Sequence, residues 1–130
     1  MQSIELAWAA GFFDGEGSTL VDRMVPGAGH GQPRLRLAME LTQVDERPLQ
    51  RFAAAVGSGR VRARPERVRP GRHDQASWRW RASDAAAEAA LVRLWPYLSA
   101  PKREQATRVV DALELDRAVR NASAQRRRAA

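Results

Sequence analysis

Two carboxylates, Asp14 and Glu16, are set between glycines in the run Phe12-Phe13-Asp14-Gly15-Glu16-Gly17-Ser18. The preceding residues, 6–13, hold neither proline nor a β-branched side chain, so a helix is inexpensive there. Gly15 and Gly17 are expected to stop it. Asp14 and Glu16 then fall at a helix C-terminus, where the negative end of the dipole disfavours further carboxylates. Acids retained at such a place point to a bound cation, although a buried helix followed by a polar turn uses the same residue types. A second group with chemical potential is Lys102, the only lysine beside 21 arginines. Arginine keeps its proton under all ordinary conditions, whereas lysine can lose it. Midway along the helix, Ala10-Gly11 offers almost no side chain, so another helix can approach it closely.

The elements that must position these groups belong to a chain of 130 residues, enough for one domain with a real core. There is no cysteine, which excludes disulfides and thiolate metal sites and fits a reducing, cytoplasmic setting. The apolar N-terminal run is short, contains Glu5 and leads into acids, so neither a signal peptide nor a membrane helix is expected. The net charge is +7. Residues 60–81 carry eight arginines against Glu66 and Asp74, and residues 117–130 add five arginines and no acid. Basic charge in two blocks over an otherwise acidic remainder fits a polyanionic partner such as nucleic acid.

In chain order, Ser18 to Val25 reads as a strand, and 26–33 as a loop of turn formers in which His30 is an ordinary solvated residue. Leu35, Leu37, Met39 and Leu41 alternate with Arg34, Arg36, Ala38 and Glu40, the period of a half-buried strand. Asp45 can cap a helix that runs through Leu49, Phe52 and Val56 to Gly57. Arg60 to Arg64 forms a third strand, 65–76 a charged loop in which His73 is no ligand, and Ser77 to Ala82 a fourth strand. Trp78 and Trp80 share one face of that strand and are read as core rather than as a base-stacking platform. Ser83-Asp84 caps an alanine-rich helix, Pro96 and Pro101 bracket a linker, and Lys102 opens a last helix whose apolar pattern fades near Arg117. Residues 1–116 therefore form the domain, and 117–130 a basic tail that frays or touches phosphates. With the helices covering the apolar side of the strands, the other side carries Arg34, Arg36, Glu40, Arg62, Arg64, Arg79 and Arg81. Such a surface can enter a DNA major groove, where arginine reads guanine and glutamate accepts from cytosine.

The run Ala9-Ala10-Gly11-Phe12-Phe13-Asp14-Gly15-Glu16-Gly17 resembles the LAGLIDADG motif of homing endonucleases, with Ala9, Phe12-Phe13 and Glu16 as departures. Thr42-Gln43 with Arg47, and Pro96-Tyr97-Leu98 followed by Lys102-Arg103-Glu104-Gln105-Ala106, resemble further stretches of the single-motif, homodimeric branch, and the lone lysine falls on that branch's active-site lysine. The resemblance covers about residues 4–116. It implies an α+β fold, αββαββα with a curved four-stranded antiparallel sheet and C-terminal helices. It implies a homodimer paired through Ala7, Ala10, Gly11 and Asp14 that cuts a long pseudo-palindromic DNA duplex. Glu16 and the Gly15 carbonyl would hold Mg²⁺, Gln43 would position water, and Lys102 and Arg47 would offset charge on the phosphate. Asp14 is expected to cap or bond backbone at the helix junction rather than to bind metal. The rival readings are a DNA-binding regulator or an RNA-splicing maturase on the same fold, without nuclease activity, and a basic scaffold protein with no site at all.

Overall fold

The computed structural model describes residues 2–27, 31 and 33–129; His30 lies outside them. Helix α1 (Gln2–Glu16) leads into β1 (Ser18–Met24), which is followed by β2 (Arg34–Gln43), α2 (Glu46–Val56) and β3 (Arg60–Arg64). Then come β4 (Arg67–Arg69), β5 (Arg72–Asp74), β6 (Ser77–Ser83), α3 (Ala85–Leu94), a 3₁₀ turn (Trp95–Tyr97) and α4 (Ala100–Ala129). The main sheet is antiparallel with strand order β1-β2-β6-β3. The expected α+β architecture and its four principal strands are present.

Strand parity separates the two faces. Met39 pairs with Thr19 and Ala82, and Leu41 pairs with Trp80, which pairs with Val61. These positions share one face and join the core with Phe13, Phe52, Leu94 and Ala106 from the helices. Trp80 is fully buried, its indole N–H donating 3.0 Å to the Ser58 carbonyl, and Trp78 packs half-buried against the same core. Both tryptophans are therefore core, as their spacing indicated. No helix among the described residues is long and apolar enough to cross a membrane.

Four local expectations are corrected. Helix α1 passes through Gly15 and ends at Glu16, with the Gly17 N–H donating to the Phe13 carbonyl at 2.8 Å. Gly17 is required by space rather than by a left-handed backbone: its φ is not positive, and a Cβ there would lie 2.2 Å from the Phe13 ring. Gly17→Ala is expected to destabilise the fold by about 1–3 kcal/mol through overpacking, read as a lower urea midpoint at unchanged m-value.

Residues 65–76 are not a plain loop, because β4 and β5 pair as a two-stranded ribbon turned at Pro70-Gly71, with Gly71 at φ 75°. At the start of α3, Asp84 has φ 53° and makes no side-chain cap; its carboxylate binds Arg34 at 3.1 Å instead. Helix α4 continues unbroken to Ala129, beyond the point where its apolar pattern ends. Extension of an existing helix carries no nucleation cost, and the alanines, arginines and glutamine of 117–129 are good helix formers. The cap of α2 matches expectation: Asp45 accepts from the Arg47 N–H at 2.9 Å, and Gly57 closes the helix at φ 71°.

Candidate nucleic-acid interface and acidic centre

The C-terminus of α1 is fastened to the N-terminus of α4. Asp14 Oδ1 accepts from the Ser99 N–H at 3.1 Å and from Ser99 Oγ at 3.0 Å. Lys102 Nζ donates to the Gly17 carbonyl, and the Gln105 side chain accepts from the Thr19 N–H at 3.2 Å. Asp14 is thus the junction residue expected of it, half-buried with its carboxylate held by Ser99. The lysine ammonium supplies the positive charge that the last turn of α1 lacks. Glu16 is exposed and has no ion-pair partner among the described residues, one residue from the carbonyl that holds Lys102. Residue type alone gives Ser99 and Gln105 no role; their signal is faint, since each acts only across 85 or 86 residues of chain.

Gln43 and Arg47 stand at the same end of the molecule but apart from this pair. Ser18 pairs with Glu40, so Gln43 lies three residues further along β2, about 10 Å on. It shares the parity of Met39 and Leu41, the helix-covered face, and hydrogen-bonds to neither Glu16 nor Lys102. The Arg47 guanidinium is chelated by Asp45, with Nε 3.0 Å from both carboxylate oxygens. That contact and the backbone cap hold the Asp45 carboxyl down to about 2. Arg47 borders a depression with Trp8, Pro48 and Arg51, and Trp8 is about two turns of α1 before Glu16.

One ridge of α1 faces outward. Ile4, Ala7, Gly11 and Gly15 are exposed, whereas Ala10 is fully buried in the protomer's own core. Ala10 is therefore removed from the expected pairing surface: its methyl already packs against the covering elements. A Cβ added at Gly11 or Gly15 would meet nothing within 4 Å. Among the described residues nothing requires glycine at either position.

The open face of the sheet carries the expected arginines, but they are not equivalent. Asp22, on the neighbouring strand, binds Arg36 at 2.7 Å and Arg81 at 2.9 Å; Glu40 binds Arg81 at 2.9 Å and lies 3.8 Å from Arg79. The hydrogen bond from Arg36 and the charge of Arg81 lower the Asp22 carboxyl below the ordinary aspartate range. Arg34 is held by Asp84. Arg60, Arg62 and Arg64 lie on the edge strand β3 and form no ion pair among the described residues. The centre of the face is thus close to neutral, and its edge carries free positive charge. Arg60, Arg62 and Arg64 share this face, as the alternation of the third strand indicates.

No protein-family model matches the sequence, and no curated protein matches it. Solved structures do. The homing endonuclease I-CvuI in complex with the I-CreI target in the presence of Mg superposes with a TM-score of 0.68 at 22% identity, over 87% of this chain and 68% of that one. The group I intron-encoded homing endonuclease I-CeuI complexed with DNA gives 0.66 at 17% identity, over 88% and 56% of the two chains. The LAGLIDADG meganuclease I-CpaMI bound to uncleaved DNA gives 0.63 at 18% identity, over 89% and 39%. Over most of its length the chain has the fold of these proteins.

Proposed function

We propose that this chain, built on the LAGLIDADG homing-endonuclease fold, is a site-specific DNA endonuclease that acts as a homodimer on a long pseudo-palindromic duplex. The observation that carries the reading is the α1 ridge. Glycines without an intramolecular reason among the described residues, at 11 and 15, lead directly to an exposed Glu16, which precedes the Gly17 whose carbonyl holds Lys102. Pairing of two such ridges about a two-fold axis would bring both acids together, and an isologous contact of this kind uses the same patch twice.

Glu16 and the Gly15 carbonyl are hard oxygen donors, the kind that suit Mg²⁺. No cluster of three or more His, Cys, Asp or Glu exists among the described residues, so one protomer offers an incomplete set. DNA phosphate oxygens and the second copy's acid would complete it. When bound, Mg²⁺ supplies an activated water and Lewis-acid stabilisation of the leaving oxygen. Lys102, fixed by the Gly17 carbonyl, places a cation where negative charge develops on the phosphate. Asp14 holds that geometry through Ser99 and acts as a positioning residue. Gln43 and Arg47 are outer groups of the proposed site, water-orienting and charge-offsetting respectively.

The free arginines of β3 provide the phosphate grip. Arg62→Ala is expected to weaken binding of duplexes of differing sequence by a similar factor, and to reduce the slope of log affinity against log salt by about 0.9 per protomer. Equal affinity and slope in wild type and variant, measured by fluorescence anisotropy, would remove β3 from the interface. The target itself is found by selecting bound and cleaved sequences from a random duplex library with Mg²⁺. A second reading, a DNA-binding regulator, is favoured by the tethering of Arg47 to Asp45. It is the outcome if the selected duplex is bound with metal and never nicked.

A further inference from the structure

Helix α4 is longer than the body it covers. It begins beside Glu16, where Lys102 reaches Gly17, and runs toward the opposite end of the sheet. There Leu113, Arg117 and Arg120 line a cleft with Arg34 and Leu35. Arg34 opens β2 and pairs with Met24, the last residue of β1, so this is the end of the sheet furthest from Glu16. Beyond Arg120, no side chain of 121–129 is fully buried: Ala122, Ser123 and Ala124 are half-buried, residues 125–129 are exposed, and the one side-chain hydrogen bond is internal, from Arg126 to Ser123. Nine residues at helical rise span about 13 Å.

This overhang carries Arg126, Arg127 and Arg128 and no acid. Part of the reason is local, since arginine at a helix C-terminus is favoured by the dipole. All three lie in the last turn, but the dipole effect there is modest, so it does not by itself account for three consecutive cations. With Arg117 they continue the basic surface of the chain past the sheet's outer end, whereas Arg120 is neutralised by Asp116 at 3.0 Å. The apolar groups nearby, Leu115 and Val119, are exposed but precede the overhang, so no apolar face competes for its use.

We propose that residues 121–129 of α4 form an outrigger that holds the phosphate backbone of duplex DNA flanking the segment read by the sheet. The occupant follows from charge: a helix with three free cations and no apolar stripe suits a polyanion rather than a protein face. The inference rests on the duplex-binding reading above. In a dimer whose axis lies at the Glu16 end, the two outriggers point outward, each lengthening the footprint by about four base pairs at 3.4 Å each.

The test uses the full chain and the duplex recovered from the random library, extended by random flanks. Wild type is compared with the triple variant R126Q/R127Q/R128Q, in which helix propensity is kept, and with R126K/R127K/R128K, in which the charge is kept. Hydroxyl-radical footprinting of the glutamine variant is expected to lose about four base pairs of protection at each end, with the centre unchanged. Its salt slope should fall by up to about 2.7 per protomer. The lysine variant should keep the wild-type footprint. An unchanged outer footprint in the glutamine variant overturns the outrigger while leaving the endonuclease reading intact. A change in oligomeric state without DNA also overturns it, by making the overhang a protein contact. If wild type protects no duplex, the endonuclease reading fails and the outrigger with it.

Discussion

Glu16→Gln is expected to leave duplex binding within about twofold of wild type and to lower the cleavage rate at least a hundredfold, about 2.7 kcal/mol of transition-state stabilisation. The substitution preserves size and removes only the negative charge. Glu16 is exposed, carries no ion pair among the described residues and lies outside the core, so the fold has no use for that charge. It lies at the negative end of α1, where a carboxylate is unfavourable in the protomer alone. Removing it should therefore raise protomer stability slightly while abolishing the chemistry. Single-turnover cleavage of the selected duplex with Mg²⁺, run beside binding in the absence of metal, separates these effects. Loss of binding together with cleavage would make Glu16 a structural residue. Full retention of cleavage would place the metal-binding acid elsewhere. Glu16→Asp adds a directional check, because withdrawing one methylene moves the carboxylate by about 1.5 Å against metal–oxygen distances of about 2.1 Å.

The second large effect is expected at Gly11, with opposite signs in protomer and dimer. A Cβ at Gly11 meets nothing within 4 Å, and α1 gains helix propensity when a glycine in its interior is replaced. Gly11→Ala should thus stabilise the protomer by up to about 1 kcal/mol. In a dimer joined backbone to backbone, the same methyl is inserted twice into the contact. Gly11→Leu should weaken self-association at least a hundredfold, about 2.8 kcal/mol, and abolish double-strand cleavage while leaving the circular-dichroism spectrum unchanged. Sedimentation equilibrium over a concentration series reads the dissociation constant directly. Unchanged association in the leucine variant would remove the α1 ridge from the interface. A destabilised leucine protomer would show that Gly11 serves the protomer's own packing.

What the amino-acid order reveals divides by range. The caps of α2 are legible because Asp45 and Gly57 act on backbone within a few residues. The alternation in Arg34–Leu41 is legible because period two writes the burial of β2 directly into the chain, and with it the open arginine face. Asp22 was not legible. Its strand has no clean alternation, and its partners Arg36 and Arg81 come from two other strands. The β4–β5 ribbon was hidden for a different reason: its strands are three residues long and too charged to show an apolar face. Helix α4 outlasts its apolar stripe because propensity extends a helix that packing has already nucleated.

The acidic centre follows the same division. The resemblance to known motifs pairs Glu16 with Lys102; in the structure Lys102 binds the carbonyl of Gly17, the residue after Glu16. Ser99 and Gln105, which lock α4 onto α1 and β1, could not be found by spacing, since they act across 85 and 86 residues of chain. Small size alone points Ala10 to the pairing ridge, yet size does not distinguish the inner side of a helix from the outer. Its full burial beside an exposed Gly11 shows the direction in which the ridge points.

The central claim, that two α1 ridges meet with their acids at the axis, is tested most directly by disulfide trapping in this cysteine-free chain. Single cysteines are introduced as Ala7→Cys, Gly11→Cys and Gly15→Cys, with Thr107→Cys on the exposed side of α4 as control. A disulfide needs Cα atoms within about 7 Å, so mild oxidation should give a rapid covalent dimer at one or more of the ridge positions and none at 107. Monomer at all three ridge positions, or equal cross-linking at the control, would contradict the account.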